Sequence, residues 1–473
     1  MAGRCLCPGY WPRLELRARV GFRHYLVRVL AGGRGTQDDG APMVFRLLAI
    51  GRLIRGGLAA GNVGVLVLVV ALLIVGCGAT VPPTSTPEPV ELTFLYYTRT
   101  LQSHYEQLKK DFEADNPNVT VNLRQGDQYS AFRGGDAEVY EVGQLAIAVM
   151  ADRGVIQPLD PFFQGPSGLE LGDFYAGSLE SLRWGGQVWG LPAGVDPLLL
   201  YYNRDIFDAK GVPYPTNDWT WGDMLEAGLR ISEPEAEPPL FGFVSEADRW
   251  NDFISLAYQN GGGLYDSLVD PTGITLTDED TIEALEWYAD LALQHRVMPT
   301  PAELGWVGGM QAAVVSKSAA MWYGNLSERG GDAWQAPWHF NWGAVAPPAG
   351  KERRTLLALR AYVINRGAAR PALAWEWVRY LALHPAPSYD VPALKAAAQA
   401  DVLLASDPPE VREAVRVALE TGYTLPSVSW LLDFFRPLGR AVDMTLRGSD
   451  TPEEALTSAQ ESVNDALERR KAE

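Results

Sequence analysis

Tryptophan is the residue type in this sequence that most directly suggests a chemistry. The chain has 15 Trp, of which 14 follow Trp11, together with 19 Tyr and 58 acidic residues. Sugars present flat patches of C–H groups that pack against aromatic rings, and a rim of hydroxyl groups that bond to amides and carboxylates. A cleft that combines both residue kinds would suit a carbohydrate, although we expect most of the tryptophans to lie in the core.

Sequence patterns typical of catalysis, metal binding or nucleotide binding are missing. No two histidines are spaced at i, i+4, as in helical zinc sites, and the sequence has no Gly-x-Ser-x-Gly motif, Walker A pattern or glycine-rich dinucleotide fingerprint. We therefore expect a protein that is not an enzyme, with no catalytic residue, no metal and no cofactor. The five histidines are scattered: His24, His104, His295, His339 and His384.

Acidic pairs leave one enzymatic alternative open. Pairs such as Asp136/Glu138 and Asp278/Asp280 are numerous in so acidic a chain, and we interpret them as solvated faces and helix caps. A glycoside hydrolase needs two carboxyl groups across a cleft, at a separation that a sequence does not give. An extracellular glycoside hydrolase is thus the alternative to a carbohydrate-binding protein, and a binding protein for peptides or other polar solutes is a third.

The longest apolar run of the chain ends close to a lone cysteine. Residues Val63 to Val75 form a run of 13 residues, with three arginines ahead of it and Gly76-Cys77 behind it. This is too short for a helix that crosses a bilayer, which needs about 20 residues, but it fits the apolar region of a secretory signal. The segment Ile74-Val75-Gly76-Cys77 resembles the lipobox of bacterial lipoproteins. That resemblance implies cleavage before Cys77, lipidation of its thiol, and attachment to the outer face of the bacterial cytoplasmic membrane.

The segments on either side of Cys77 differ in composition. The strip "GATVPPTSTPEP" predicts an extended tether, and the arginine-rich stretch before Met43 suggests that Met43 is the true start. Residues 1–76 hold 10 Arg and 3 acidic residues, so the 40 basic and 58 acidic residues of the chain leave a net charge of about −25 on the remainder. Such a surface repels phosphate backbones and anionic lipids, which argues against nucleic-acid binding and electrostatic membrane docking.

Alternating strand and helix patterns predict an α/β fold. "VELTFLYYT" alternates as a strand, "LQSHYEQLKKDFEADNP" has a helical apolar stripe, and "NVTVNLR" alternates again. This order predicts a βαβ unit and a mainly parallel sheet. Further helices are predicted after a capping box at Thr277/Asp280, from Pro371, and after Thr451 as N-cap. The 397 residues from Cys77 onwards exceed one hydrophobic core and suggest two lobes.

Six stretches follow one another along the chain: "LKKDFEADNPNVTV", "GLPAGVDPLLLYYNRDIFDAKGVPYPTNDWTWGDML", "YQNGGGLYD", "VVSKSAAMWYGN", "AVAPPAGKERR" and "EALTSAQESV". In this order they resemble the sugar-binding family of extracellular solute-binding proteins of bacterial ABC importers, which includes maltose-binding protein. The resemblance implies a two-lobed type II periplasmic-binding-protein fold, which closes by a hinge on its ligand, with the first crossing near Asp196-Pro197-Leu198. The implied divisions are a leader at 1–76, a tether at 77–90, one lobe at 91–197 and 343–385, and the other at 198–342 and 386–473.

The same resemblance implies the site residues and the partners. A monomer would deliver a carbohydrate, and more specifically an oligosaccharide, to separate permease subunits. Asp196 stands in the place of an acid that accepts sugar hydroxyls, while Tyr140 and Phe435 stand where the maltose binder has stacking tryptophans, with Trp430 as the alternative to Phe435. The full implied set is Tyr97, Asp136, Tyr140, Gln144, Asp196, Trp250, Asn260, Tyr323, Asn325, Arg360, Trp430 and Phe435.

Two departures from the family pattern concern the ligand. The turn "GGDAEVY" lacks the usual proline before its aspartate, and "TLLALRAYVIN" carries Arg360 in a strand that is often preceded by paired glycines. Arg360 has two alternative roles: it pairs with a structural carboxylate, or it points at the ligand. In the second case its planar guanidinium would favour an acidic sugar, since a uronate or a phosphate offers it a bidentate partner.

Overall fold

The structure of the chain is a computed structural model. It describes residues 88–472, apart from 128–134, 136, 164–168, 247–249, 269–270, 387–388 and 397–406. The chain divides into two units, Met1–Thr86 and Pro87–Glu473, and the architecture below concerns the second. The predicted lipidation site Cys77 and the predicted ligand residue Asp136 lie outside the described residues. Within the described part, no helix is both long and apolar enough to span a membrane.

Of the twelve strands in the described residues, ten form one sheet, whose main path runs β2-β1-β3-β10-β6-β8-β7. β9 and β11 also pair with β6, β12 pairs with β10, and β4 and β5 form a separate hairpin. The strands are β1 (Val90–Tyr96), β2 (Val119–Gln125), β3 (Val139–Gly143), β4 (Arg183–Trp184), β5 (Gln187–Val188), β6 (Leu191–Asn203), β7 (Phe241–Val244), β8 (Ala319–Asn325), β9 (Trp342–Val345), β10 (Thr355–Ile364), β11 (Val391–Pro392) and β12 (Gly422–Tyr423).

Helices connect and cover these strands. They are α1 (Gln102–Asp115), α2 (Ile147–Asp152), α3 (Asp160–Phe163), α4 (Ala176–Glu180), α5 (Arg204–Lys210), α6 (Trp221–Ile231), α7 (Trp250–Gln259), α8 (Glu279–Leu293), α9 (Pro301–Trp306), α10 (Met310–Val315), α11 (Pro371–Leu383), α12 (Pro409–Glu420), α13 (Leu431–Leu446) and α14 (Pro452–Ala472). Short 3-10 turns lie between several of them.

The predicted βαβ unit is confirmed. β1 and β2 pair in parallel from Val90 opposite Val119, and α1 joins them with Tyr105, Leu108 and Phe112 buried on one stripe. The prediction of a mainly parallel sheet is wrong, because β6 and β10 run antiparallel to each other and to most of their other neighbours. These two long strands lie in the middle of the sheet, and of their pairings only that of β10 with β12 is parallel among the described residues.

The helix starts were predicted with one error. Pro371 lies in the first turn of α11, and Thr451 caps α14 in a reciprocal box with Glu454, both as predicted. For α8 the N-cap is Asp278, not Thr277, because the Asp278 carboxylate accepts a hydrogen bond of 2.9 Å from Thr281 N. Both residue types cap well, so the local pattern did not separate the two neighbouring positions.

The long strand β6 changes its partner in the middle. Residues from Leu191 to Pro197 pair with β10, and residues from Leu198 onwards pair with β8. The change falls within the segment Asp196-Pro197-Leu198, where the first crossing between lobes is predicted. The lobe boundaries themselves stay a prediction, since one large core cluster contains Phe94 of β1 as well as Trp322 of β8.

Candidate ligand-binding site

A cavity of about 80 Å³ lies where β6 changes partner. Gln144 and Leu145, just before α2, line one side, and Trp250 and Asn251 of α7 line another. Asn325, at the end of β8, completes the polar lining. The hydrophobic floor consists of Leu198, Leu356, Leu357, Ala358 and Leu425. Three of the residues that the sequence predicted as ligand contacts, Gln144, Trp250 and Asn325, therefore meet at one cavity.

Gln144 is fixed by the neighbouring strand. Its side-chain Oε1 accepts a hydrogen bond of 2.8 Å from Leu359 N of β10, and the residue is only 5% exposed. The amide N–H groups of Gln144 can still donate, because the bond to Leu359 uses only the carbonyl oxygen. The Gln144 amide is thus a donor that β10 holds in a fixed position, which suits hydrogen bonding to the hydroxyl oxygens of a ligand.

Trp250 forms an aromatic pair with Phe435 of α13. Their ring centroids lie 3.9 Å apart with an angle of 32° between the planes. Both side chains are half-buried, so part of the ring surface stays accessible. Trp430, the alternative to Phe435, is buried and packs against Tyr265 at 5.7 Å between centroids. The structure thus places Phe435, not Trp430, beside the cavity wall.

Asp196 and Asn325 are linked through the backbone of the hinge strands. Asn325 Nδ2 donates to the Asp196 carbonyl oxygen at 3.0 Å. The Asp196 carboxylate accepts from Ser327 N at 2.9 Å and from Ser327 Oγ at 2.6 Å. Burial raises the pKa of Asp196 to about 7, and the two bonds from Ser327 oppose that rise. Asp196 is therefore poised between its charged and neutral forms near physiological pH, and its partner Ser327 is a residue that the sequence did not indicate.

Tyr97 lies at the end of β1, where the backbone is held by a buried acid. The Glu141 carboxylate accepts from Tyr97 N at 2.9 Å and from Thr98 N at 3.0 Å. Burial, followed by the charge of Glu141, raises the pKa of the Tyr97 hydroxyl well above its ordinary value. The hydroxyl thus stays a neutral hydrogen-bonding group at physiological pH.

Five other predicted residues are absent from the lining of this cavity: Tyr97 and Asp196, described above, and Tyr140, Asn260 and Tyr323. Tyr140 is fully buried, and its hydroxyl bonds to the backbone of Gly135 and to Asn365 Nδ2 at 2.9 Å. The Asn260 amide donates to the backbone oxygen of Asp280 at 2.8 Å and so fastens the loop after α7 to the start of α8. Tyr323 is fully buried and packs edge-on against the Phe243 ring at 5.4 Å. The surrounding fold encloses Tyr140, Asn260 and Tyr323, and their ligand contacts stay a prediction.

Arg360 takes the first of its two alternative roles and pairs with structural carboxylates. Its guanidinium lies 3.0 Å from the Asp390 carboxylate and 3.2 Å from the Glu141 carboxylate, with all three side chains at most 5% exposed. The hydroxyls of Tyr105 and Tyr362 each lie 3.0 Å from Arg360 Nη1. Although burial disfavours the charge, Asp390 and its neighbours hold the pKa of Arg360 above its ordinary value. We refer to these five residues as the Arg360 network.

Comparison with known proteins shows the family of this chain. Residues 98–386 match the family model described as bacterial extracellular solute-binding protein. The chain belongs to this family. It is 25% identical over 260 residues to the arabinooligosaccharide-binding protein of Bacillus subtilis, a match that covers 50% of this chain and 55% of that protein. A putative binding protein of Brucella abortus is 27% identical over 146 residues, which cover 29% of this chain and 34% of the relative. The matches to these curated relatives thus span between about a third and about half of their length.

A solved structure shows the same fold. An ABC substrate-binding protein of Listeria monocytogenes, solved in complex with cycloalternan, superposes with a TM-score of 0.72 at 22% identity. The superposition covers 80% of this chain and 99% of the Listeria chain. This likeness confirms the predicted α/β, two-lobed fold of the extracellular solute-binding proteins.

Proposed function

We propose that this protein binds an oligosaccharide and delivers it to an ABC importer. The observation that carries the proposal is the cavity at the hinge strands, which Trp250, itself paired with Phe435, lines together with Gln144 and Asn325. Aromatic rings match the C–H faces of sugars, and amides match their hydroxyls. Membership of the solute-binding family and the arabinooligosaccharide-binding relative support a carbohydrate ligand.

Capture would proceed by hinge closure without turnover. Gln144 precedes α2 and Trp250 begins α7, while the continuous strands β6 and β10 run beneath both. Bending of these strands near Pro197 would separate the two walls and admit a ligand that both walls then contact. Closure around a ligand excludes water and strengthens its hydrogen bonds. The closed form would present a defined surface to the permease.

The proposed location is the outer face of the bacterial cytoplasmic membrane. The short apolar run that ends at Gly76-Cys77 motivates a lipid anchor on Cys77. A single acyl chain gives only marginal membrane binding, so stable attachment requires more than one chain. The proline-rich strip after Cys77 would then hold the folded body away from the lipid surface.

A thermal-shift panel of sugars and peptides tests the proposal. A ligand at 100 times its dissociation constant should add about 2.7 kcal/mol to the free energy of unfolding. We expect arabino-oligosaccharides or other neutral oligosaccharides to raise the melting temperature of the wild type, and to raise it less for Trp250→Ala. Stabilisation by peptides alone would refute the carbohydrate ligand, and release of shorter sugars from the panel would identify a hydrolase.

A further inference from the structure

A serine from a distant part of the chain caps the start of α2. The Ser427 hydroxyl accepts a hydrogen bond of 2.8 Å from Ala148 N and donates one of 3.1 Å to the Leu145 carbonyl oxygen. Amides in the first turn of a helix have no acceptor within the helix itself, and the N-cap residue of α2 is Ala146, whose methyl group cannot accept. Ser427 supplies the missing acceptor and is only 8% exposed. We refer to these two hydrogen bonds as the Ser427 cap.

The Ser427 cap joins two parts of the fold. Three residues of α2 belong to a hydrophobic cluster whose members all lie in the lobe predicted at 91–197 and 343–385. Val149, on another side of α2, belongs instead to the cluster that contains Val428, the residue after Ser427. Ser427 and Val428 fall in the other predicted lobe. The cap therefore crosses the predicted boundary between the lobes, next to an apolar contact that crosses it as well.

A second polar contact reaches α2 at its other end. The Arg470 guanidinium of α14 lies 3.2 Å from the carboxylate of Asp152, the last residue of α2, and 3.4 Å from that of Asp433 in α13. The side chains of Arg470 and Asp152 are 39% and 42% exposed, so water and salt screen this pair. The buried Ser427 cap is thus the stronger of the two polar contacts on α2.

The turn that Ser427 holds is also part of the wall of the hinge cavity. Gln144 and Leu145 line that cavity, and the Leu145 carbonyl is the acceptor for Ser427. Leu425, two residues before Ser427, lies in the cavity floor. Ser427 itself is absent from the cavity lining, so it acts on a ligand only through the position of this turn.

We propose that Ser427 is a positioning residue for ligand binding, which caps α2 in the closed form and leaves it when the hinge opens. This inference rests on the proposed hinge closure. Opening would separate the wall that bears Gln144 from the wall that bears Trp250, and would withdraw Ser427 from α2. Because water would then replace the buried hydroxyl, the Ser427 cap favours the closed form. A contact made only in the closed form increases the apparent affinity for any ligand that this form encloses.

The test compares binding of arabinotriose, maltotriose and mannotriose to wild type, Ser427→Ala and Ser232→Ala, by calorimetric titration and stopped-flow fluorescence. Ser232 is the matched control, because its hydroxyl also accepts from one backbone N–H, that of Gly242, and donates to one carbonyl, that of Gly228, but within one predicted lobe. Ser427→Ala should raise the Kd of every sugar that binds by the same factor, roughly two- to tenfold. Ser232→Ala should bind each sugar as the wild type does.

The rate constants separate closure from encounter. A cap that forms after closure does not act on the open form that the ligand enters, so Ser427→Ala should raise the dissociation rate constant and leave the association rate constant unchanged. Amide hydrogen exchange gives a readout at the cap itself. A bound sugar should slow exchange of the Ala148 amide in the wild type, and this slowing should be smaller in Ser427→Ala.

Three results would overturn the role of Ser427 while the carbohydrate function stands. They are rate constants that do not change in Ser427→Ala, losses of affinity that differ among the sugars, and exchange of the Ala148 amide that is equally slow with and without a sugar. The second result would mean that Ser427 contacts the ligand, and the third that its cap is a fixed part of one lobe. If the wild type binds peptides but none of the three sugars, the carbohydrate function is wrong, and the same comparison with the bound peptide supports or overturns the role of Ser427.

Discussion

Removal of the Arg360 guanidinium should destabilise the fold strongly. In Arg360→Met the carboxylates of Glu141 and Asp390, which are 0% and 1% exposed, lose the cation that lies 3.2 Å and 3.0 Å from them. The hydroxyls of Tyr105 and Tyr362 also lose their contact with Nη1. Breaking a buried pair by removing one partner typically costs about 3–5 kcal/mol, because the remaining charge is left buried without compensation.

Urea unfolding followed by circular dichroism measures this loss. With a denaturant slope of about 3 kcal/mol per molar, a loss of 3–5 kcal/mol lowers the midpoint by roughly 1 to 1.7 M. Arg360→Lys keeps the charge but loses the planar fork that contacts Asp390 through two nitrogens, so it should fall between wild type and Arg360→Met. Arg416→Met is the matched control.

The control separates burial from the mere count of ion pairs. Arg416 also contacts two carboxylates, those of Glu413 and Glu420, but its side chain is 53% exposed. Water and salt screen such a pair, so Arg416→Met should leave the midpoint unchanged. If Arg360→Met shifts the midpoint no more than Arg416→Met, the buried charges of the Arg360 network do not stabilise the fold and our reasoning fails.

Three further predictions concern the hinge and the anchor. Burial raises the pKa of Asp196 to about 7, although the bonds from Ser327 oppose the rise, so the folded state holds the proton more tightly than the unfolded state does. As the pH rises from about 4 to 7, the free energy of unfolding of the wild type should therefore fall relative to that of Asp196→Asn. A difference that stays constant with pH would contradict this. Trp250→Ala should weaken oligosaccharide binding by roughly 0.5–1.5 kcal/mol in calorimetric titration. The control is Trp287→Ala, which should not weaken binding, because Trp287 pairs with the Trp221 ring at 4.4 Å between centroids and does not line the cavity. Equal losses in the two variants would remove Trp250 from the site. Cys77→Ser should move the protein from the membrane to the soluble fraction, and an unchanged membrane fraction would refute the lipid anchor.

The local fold was predictable where the sequence pattern is repeated over several turns or residues. Tyr105, Leu108 and Phe112 lie at helical spacing, and all three are buried in α1. The pairing of β6 and β10 was not predictable in this way. Both strands are almost continuously buried, so their patterns show neither a partner nor a direction. Long-range pairing is set by how the chain returns to the sheet, which is not a local property.

The candidate site was predictable in residue type but only partly in position. Gln144, Trp250 and Asn325 meet at the cavity, while Tyr140 and Tyr323 point into buried packing. A tyrosine is equally suited to stacking on a ligand and to filling a core, so its neighbours in space decide between the two roles. A serine after a strand carries no distinct pattern either, so the two bonds that Ser327 gives to Asp196 had no sequence signal.

The Arg360 network connects the stability of the fold to the shape of the site. One carboxylate oxygen of Glu141 accepts a hydrogen bond from Arg360. The other oxygen accepts hydrogen bonds from the backbone N–H groups of Tyr97 and Thr98 at the end of β1. Asp390 holds the opposite side of the guanidinium from the segment that leads into β11, and β11 pairs with β6 at Val195, next to Asp196. One buried cation therefore fixes the backbone on two sides of the hinge strands. An arginine that pairs with structural carboxylates can thus determine where groups of the candidate site lie, because Glu141, which it holds in place, accepts hydrogen bonds from the backbone at Tyr97 and Thr98.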